Sequence, residues 1–115
     1  MWKKGVMFLN TNNPTNGIKK VQSFLGEPYE IKVIDMENVI YRRLGDDYDL
    51  EVSGLDNNRK TIDADVYVWR KIPGAEIIEI YNSIHSLIDL KDLLGSISLK
   101  HRNLDPEKPL FVKSR

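Results

Sequence analysis

The chain has 115 residues, 41% of them hydrophobic and 30% charged, with a mean hydropathy of −0.41, the profile of one water-soluble globular domain. Seventeen Lys and Arg against 17 Asp and Glu leave no net charge, which disfavours a disordered chain and removes the overall electrostatic footprint of a nucleic-acid binder. The lack of cysteine excludes a disulfide scaffold, a thiol nucleophile, a zinc finger and an iron–sulfur centre.

Met1-Trp2-Lys3-Lys4 is positively charged, but the apolar run Val6 to Leu9 is too short for a signal-peptide core or a membrane span, so a cytoplasmic protein is expected. Gly5 to Leu9 reads as a short buried strand, ended by the turn-rich stretch Asn10 to Gly17. Asn13 or Thr15 is placed to cap a helix, with Pro14 suited to its first turn. Ile18, Val21, Phe24 and Leu25 then share one helical face, Lys19, Lys20 and Gln22 take the other, and Gly26 and Pro28 stop the helix.

Tyr29 to Ile34 alternates as a strand, and Val39 to Leu44 reads as another, followed by Gly45-Asp46 as a two-residue turn. In Asp47 to Leu55, Tyr48, Leu50 and Val52 point one way and Asp47, Asp49, Glu51 and Ser53 the other. After a turn at Asp56-Asn57-Asn58, Thr61 to Trp69 places Ile62, Ala64, Val66 and Val68 inward and Asp63, Asp65, Tyr67 and Trp69 outward. Pro73-Gly74 precedes a strand from Glu76 to Tyr81, with Ile78 and Ile80 assigned to the core. Ser86-Leu87-Ile88-Asp89 matches a capping box with Asp in place of Glu; Leu87, Leu90, Leu94 and Ile97 follow at helical spacing, and Gly95 offers an early stop.

These elements predict an α+β fold: an antiparallel β-meander of four to six strands packed against one or two helices. The compact domain is assigned to residues 1–103 and an extended basic tail to residues 104–115. Leu110-Phe111-Val112 in that tail could add a strand to a neighbouring copy, making a homodimer. Lys100, Arg102, Lys108, Lys113 and Arg115, with Phe111 nearby, read as a solvated basic tail rather than a nucleic-acid contact, since no recognition motif accompanies them.

Charge is segregated although it sums to zero. Between residues 46 and 65, seven carboxylates stand against Arg59 and Lys60, while residues 1–20 hold four lysines and no acid. A short turn at Asp56 to Asn58 sets Glu51 nearly opposite Asp63 or Asp65, and a two-residue loop at Gly45-Asp46 sets Arg42 across from Asp49. One reading of this face is a solvated surface that keeps sheet edges apart. The functional reading is a protein-binding surface, with Tyr67 and Trp69 as anchors and Asp49, Glu51, Asp63 and Asp65 steering a basic partner. The same four acids also suggest a divalent-cation site, but no calcium-loop spacing supports it, and no metal or other cofactor is assigned.

The second candidate is the loop–helix corner, where Asn13, Thr15, Asn16, Gly17, Lys19 and Lys20 could hold an anion or nucleotide on backbone N–H groups at a helix N-terminus. Neither a phosphate-loop nor a dinucleotide motif is present, and an Asn-rich turn explains the same residues structurally. His85 and His101 lack ligand spacing, and no nucleophile elbow occurs. The favoured function is therefore a non-catalytic protein-interaction or regulatory module, and the alternative is a small-ligand enzyme domain using the corner at residues 11–20.

Overall fold

A computed structural model describes residues 13–102, and the structural statements below concern those residues. The strand read at Gly5 to Leu9 and the tail at residues 104–115 lie outside them.

Helix α1 (Asn16–Leu25) begins at Thr15, whose Oγ1 accepts the Ile18 N–H at 3.3 Å. Pro14 therefore precedes the cap instead of entering the first turn. The helix ends at Gly26, which adopts a positive φ of 75° while its N–H donates to the Gln22 carbonyl at 2.8 Å. Ile18, Val21 and Leu25 are buried, whereas Phe24, at the margin of the apolar stripe, is 41% exposed with Lys91 over its ring.

Five strands follow, β1 (Glu30–Ile34), β2 (Glu37–Leu44), β3 (Tyr48–Ser53), β4 (Ala64–Arg70) and β5 (Glu76–Ile84), all antiparallel and in the order β1-β2-β3-β4-β5. Helix α2 (Leu87–Arg102) closes the described chain. Ser86 caps it, its Oγ accepting the Asp89 N–H at 3.1 Å. The helix runs through Gly95 to Arg102, so the glycine is no stop and His101 lies in its last turn.

Both helices pack on one face of the sheet. Ile18, Val21 and Leu25 from α1 and Leu90, Leu94 and Ile97 from α2 meet Ile40, Leu50, Val52, Ala64, Val66 and Val68. The inward parity of β3 and β4 follows the alternation in the sequence. β5 breaks it. Two register shifts against β4 set Tyr67 opposite Ile80 and Trp69 opposite Ile77, so Ile80 is 51% exposed on the outer face and not in the core. Ile78, Tyr81 and Ile84 are the β5 hydrophobic side chains that pack against the core, and Glu79, opposite Val68, turns to the same side.

Two connections differ from the expected tight turns. Residues 45–47 form a three-residue loop, with Leu44 paired to Tyr48, which sets Arg43 rather than Arg42 opposite Asp49. Residues 54–63 separate β3 from β4, so Glu51 lies opposite Tyr67 and not opposite Asp63 or Asp65. Asp65 pairs with Ser53, and Asp63 precedes the strand and faces His85 at 3.3 Å. No helix among the described residues is long and apolar enough to cross a membrane.

Candidate functional site

The sheet face turned away from the helices carries its acids on the central strand and its aromatics on either side. Strand pairing places Glu51 of β3 between Tyr41 of β2 and Tyr67 of β4, and Asp49 between Arg43 and Trp69. Cross-strand neighbours on one face of a sheet interact directly and along diagonals, and the hydrogen bonds here use the diagonals. The Trp69 indole N–H donates to Glu51 Oε1 at 3.1 Å, and the Tyr41 hydroxyl donates to Asp49 Oδ1 at 2.7 Å. Lys71 Nζ stands 3.5 Å from the same Asp49 oxygen.

These groups line a hollow of about 220 Å³, open to solvent. Ile34 ends β1 and Asp35 lies in the β1–β2 turn, while Lys71 and Ala75 come from the β4–β5 loop. By register these two connections belong to opposite ends of the strands, so their meeting over one hollow means that the outer face is curled. Asp35 and Met36 both take positive φ, 52° and 68°, in the turn that brings Asp35 there. Non-glycine residues seldom adopt that conformation, and it costs of order 1 kcal/mol or more at each.

The two central acids have different partners. Burial pushes the Glu51 carboxyl above its ordinary range; the Trp69 hydrogen bond opposes this, and the charges of Glu37, Asp35 and Asp49 add to the rise. Asp49 is instead held by a hydroxyl and an ammonium. The Tyr41 phenol is pushed up to about 12, first by burial and then by its hydrogen bond and proximity to Asp49, so it remains a donor at neutral pH. The hollow thus offers three carboxylates and one lysine around a tryptophan and a tyrosine. Tyr41 shows what its ring can do, since Lys32 Nζ lies 4.1 Å from its centroid.

Of the six residues expected at a partner surface, Asp49, Glu51, Tyr67 and Trp69 form one patch, all half-buried. Asp65 is four positions along β4 from Trp69, roughly 13 Å away, and its carboxylate accepts the Ser83 N–H at 3.0 Å. Asp63 is exposed beyond the strand. The four acids therefore do not converge, and among the described residues no group of three or more His, Asp or Glu side chains is arranged to hold a metal ion. Tyr41 carries no periodic signal, because Asn38, Val39 and Ile40 are buried in succession and β2 does not alternate; its pairing with Glu51 is what places it on the outer face. Asp35 and Lys71 lie in connections, where no periodicity signals a direction.

The loop–helix corner is occupied by the protein itself. The Thr15 N–H donates to Asp56 Oδ1 at 2.9 Å and the Gly17 N–H to Asn58 Oδ1 at 2.8 Å, while Asp56 Oδ2 accepts from the buried Asn38 amide at 3.0 Å. Thr15 Oγ1 also reaches the Asn57 carbonyl at 3.3 Å. A Cβ on Gly17 would lie 1.7 Å from that carbonyl oxygen, so residues 56–58 sit tightly on the first turn. Of the amides at this helix start, those of Thr15 and Gly17 are engaged by Asp56 and Asn58 and that of Ile18 by Thr15, so Asp56 takes the place that helix N-termini offer to anions. Asn13, Asn16, Lys19 and Lys20 are exposed around this plug.

On the helix side, His101 is 3% exposed and its Nε2 faces Glu79 Oε2 at 3.2 Å, with the Tyr48 ring 4.8 Å away. Glu79 also accepts from Lys100 and from the Tyr81 hydroxyl. Burial alone would raise the Glu79 carboxyl, but the Lys100 and Tyr81 hydrogen bonds and the charges of Lys100 and His101 bring it below the ordinary value. Comparison of the chain with protein-family models, with curated proteins and with solved structures gave no match.

Proposed function

We propose that the protein is a non-catalytic interaction module that takes a basic segment of a partner protein on its outer sheet face. The observation that supports this reading is the hollow beside Trp69, where Asp35, Asp49 and Glu51 outnumber Lys71 and the flanking walls are aromatic. A lysine or arginine head group entering there would relieve the repulsion that Glu51 feels from Glu37, Asp35 and Asp49. Its aliphatic stem would lie on Trp69, the residue type that most often anchors an interface. Ile77 and Ile80, exposed on the same face, extend the contact surface beyond the charged centre.

The test is a fluorescence titration of Trp69 in a Trp2→Phe background, using short lysine- and arginine-containing peptides at two salt concentrations. A saturable, salt-sensitive change is expected, weakened at least about tenfold in an Asp49→Asn/Glu51→Gln variant that keeps its circular dichroism. Binding that is absent with every basic peptide, or that is equally strong in the neutralised variant, overturns the reading. The alternative, an anion or nucleotide site at residues 11–20, requires the Asp56 and Asn58 plug to leave, and phosphate titration with no change at Thr15 and Gly17 removes it.

A further inference from the structure

A second polar notch lies on the helix side of the sheet, away from the outer hollow. It has a volume of about 180 Å³ and is lined by Arg42, Gly95, Ser98 and Leu99. Arg42 of β2 has the inward parity, beside Leu50, yet it is charged. Among the described residues no carboxylate lies within ion-pairing distance of it. Its Nη1 donates to Ser98 Oγ at 3.0 Å, and its guanidinium carbon lies 5.5 Å from the centroid of the Tyr29 ring. Its Nε is buried without a hydrogen-bond partner. Ser98 does not answer the charge: its hydroxyl donates to the Leu94 carbonyl at 2.8 Å and stands 3.4 Å from the Tyr29 hydroxyl.

A half-buried guanidinium normally has an anionic partner, because partial desolvation is costly when the charge is uncompensated. The hydroxyl and the aromatic ring orient this one without neutralising it. The second observation is Gly95. Glycine inside a helix costs about 1 kcal/mol relative to alanine, yet a Cβ at Gly95 would meet nothing within 4 Å. Packing does not require the glycine. Its effect is to leave one wall of the notch without a side chain, beside the Arg42 guanidinium.

We infer that the Arg42 notch is a binding site for an oxyanion, a carboxylate or phosphate group held by the free N–H donors of the guanidinium. Arginine suits this task because its planar fork matches two oxygens of such a group at once. Ser98 and the Tyr29 ring hold the fork in place, so little side-chain freedom is lost on binding.

Amide resonances of the full chain, followed by NMR, provide the test. Inorganic phosphate and acetate are titrated separately against sodium chloride at matched ionic strength. Saturable shifts confined to the neighbourhood of Arg42, Gly95, Ser98 and Leu99 are expected with at least one of the two oxyanions and not with chloride. A stronger response to phosphate assigns the natural group as a phosphate, and a stronger response to acetate assigns it as a carboxylate. Arg42→Gln should weaken binding by about tenfold or more, and Arg42→Lys should restore only part of it, since a point charge replaces the fork. Gly95→Leu, which leaves Arg42 in place, should block the notch. The inference is overturned if neither oxyanion gives saturable shifts, or if the shifts persist unchanged in folded Arg42→Gln and Gly95→Leu variants. Basic-peptide binding at the outer face should be insensitive to both substitutions, so the two proposals fail separately.

Discussion

At Glu51 two demands conflict. Trp69 needs an acceptor for its indole N–H, and a half-buried carboxylate among other acids is penalised for being charged. A carboxyl whose native pKa is raised binds its proton more readily folded than unfolded, so its contribution to stability falls as pH rises from the ordinary carboxylate value through the raised one. Glu51→Gln keeps an oxygen for Trp69 and removes the charge. The variant should melt above the parent at pH 7 to 8, with the gap narrowing as pH falls from the raised value to the ordinary carboxylate value. Thermal scans across that range check it, and a variant that melts lower at neutral pH refutes the account. Glu79 shows the opposite sign. Its native pKa is lowered, so its stabilisation is present above the ordinary carboxylate value and is lost as pH falls through the lowered one. Glu79→Gln leaves Lys100, Tyr81 and His101 without their shared anion, and urea unfolding at pH 7 should show a loss of about 1.5–3 kcal/mol that shrinks in acid.

Among the elements, two glycines in helices should respond to alanine with opposite signs. Gly17→Ala would gain up to about 1 kcal/mol of helix propensity but drives a methyl into the Asn57 carbonyl, so a net loss of about 1–3 kcal/mol is expected. Gly95→Ala meets open space and should gain about 1 kcal/mol. Denaturant midpoints of the two variants, moving in opposite directions, check both. The sequence displays what repeats and hides what does not. The alternation Leu50, Val52 and Ala64, Val66, Val68 fixes the inner parity of β3 and β4, and the meander follows from it. The parity assigned to Ile80 fails because the β5 register shifts add residues that no local pattern announces. The expected pairing of Glu51 with Asp63 or Asp65 fails because residues 54–63 form a long connection instead of a tight turn: local bonds around Asn57 bend it, and distant partners hold it, with Asp56 tied to Thr15 and Asn38. In the outer hollow, parity is enough to find Trp69, Glu51 and Asp49. Asp35 and Lys71 reach it through the curl of the sheet, a property of five strands together.

For the molecule as a whole, the one-sided arrangement of the two helices divides the sheet between two tasks. Its inner face supplies the apolar burial that holds the fold, and its outer face is left with acids, aromatics and two exposed isoleucines. The Asp56 plug gives this body a further property. One carboxylate joins the start of α1, the buried Asn38 of β2 and the connection between β3 and β4. The first amides of a helix have no partner within it and ordinarily exchange with solvent early. Here the Thr15 and Gly17 protons leave only when the connection lifts away, so the helix end and residues 54–63 should open as one unit. Hydrogen exchange should find both protons slowed and matched in the parent, and both fast in Asp56→Ala/Asn58→Ala. Fast exchange in the parent would mean that the two segments move independently. Coupled opening would make a surface turn and a helix terminus, 41 residues apart in the chain, a single element of the molecule's dynamics.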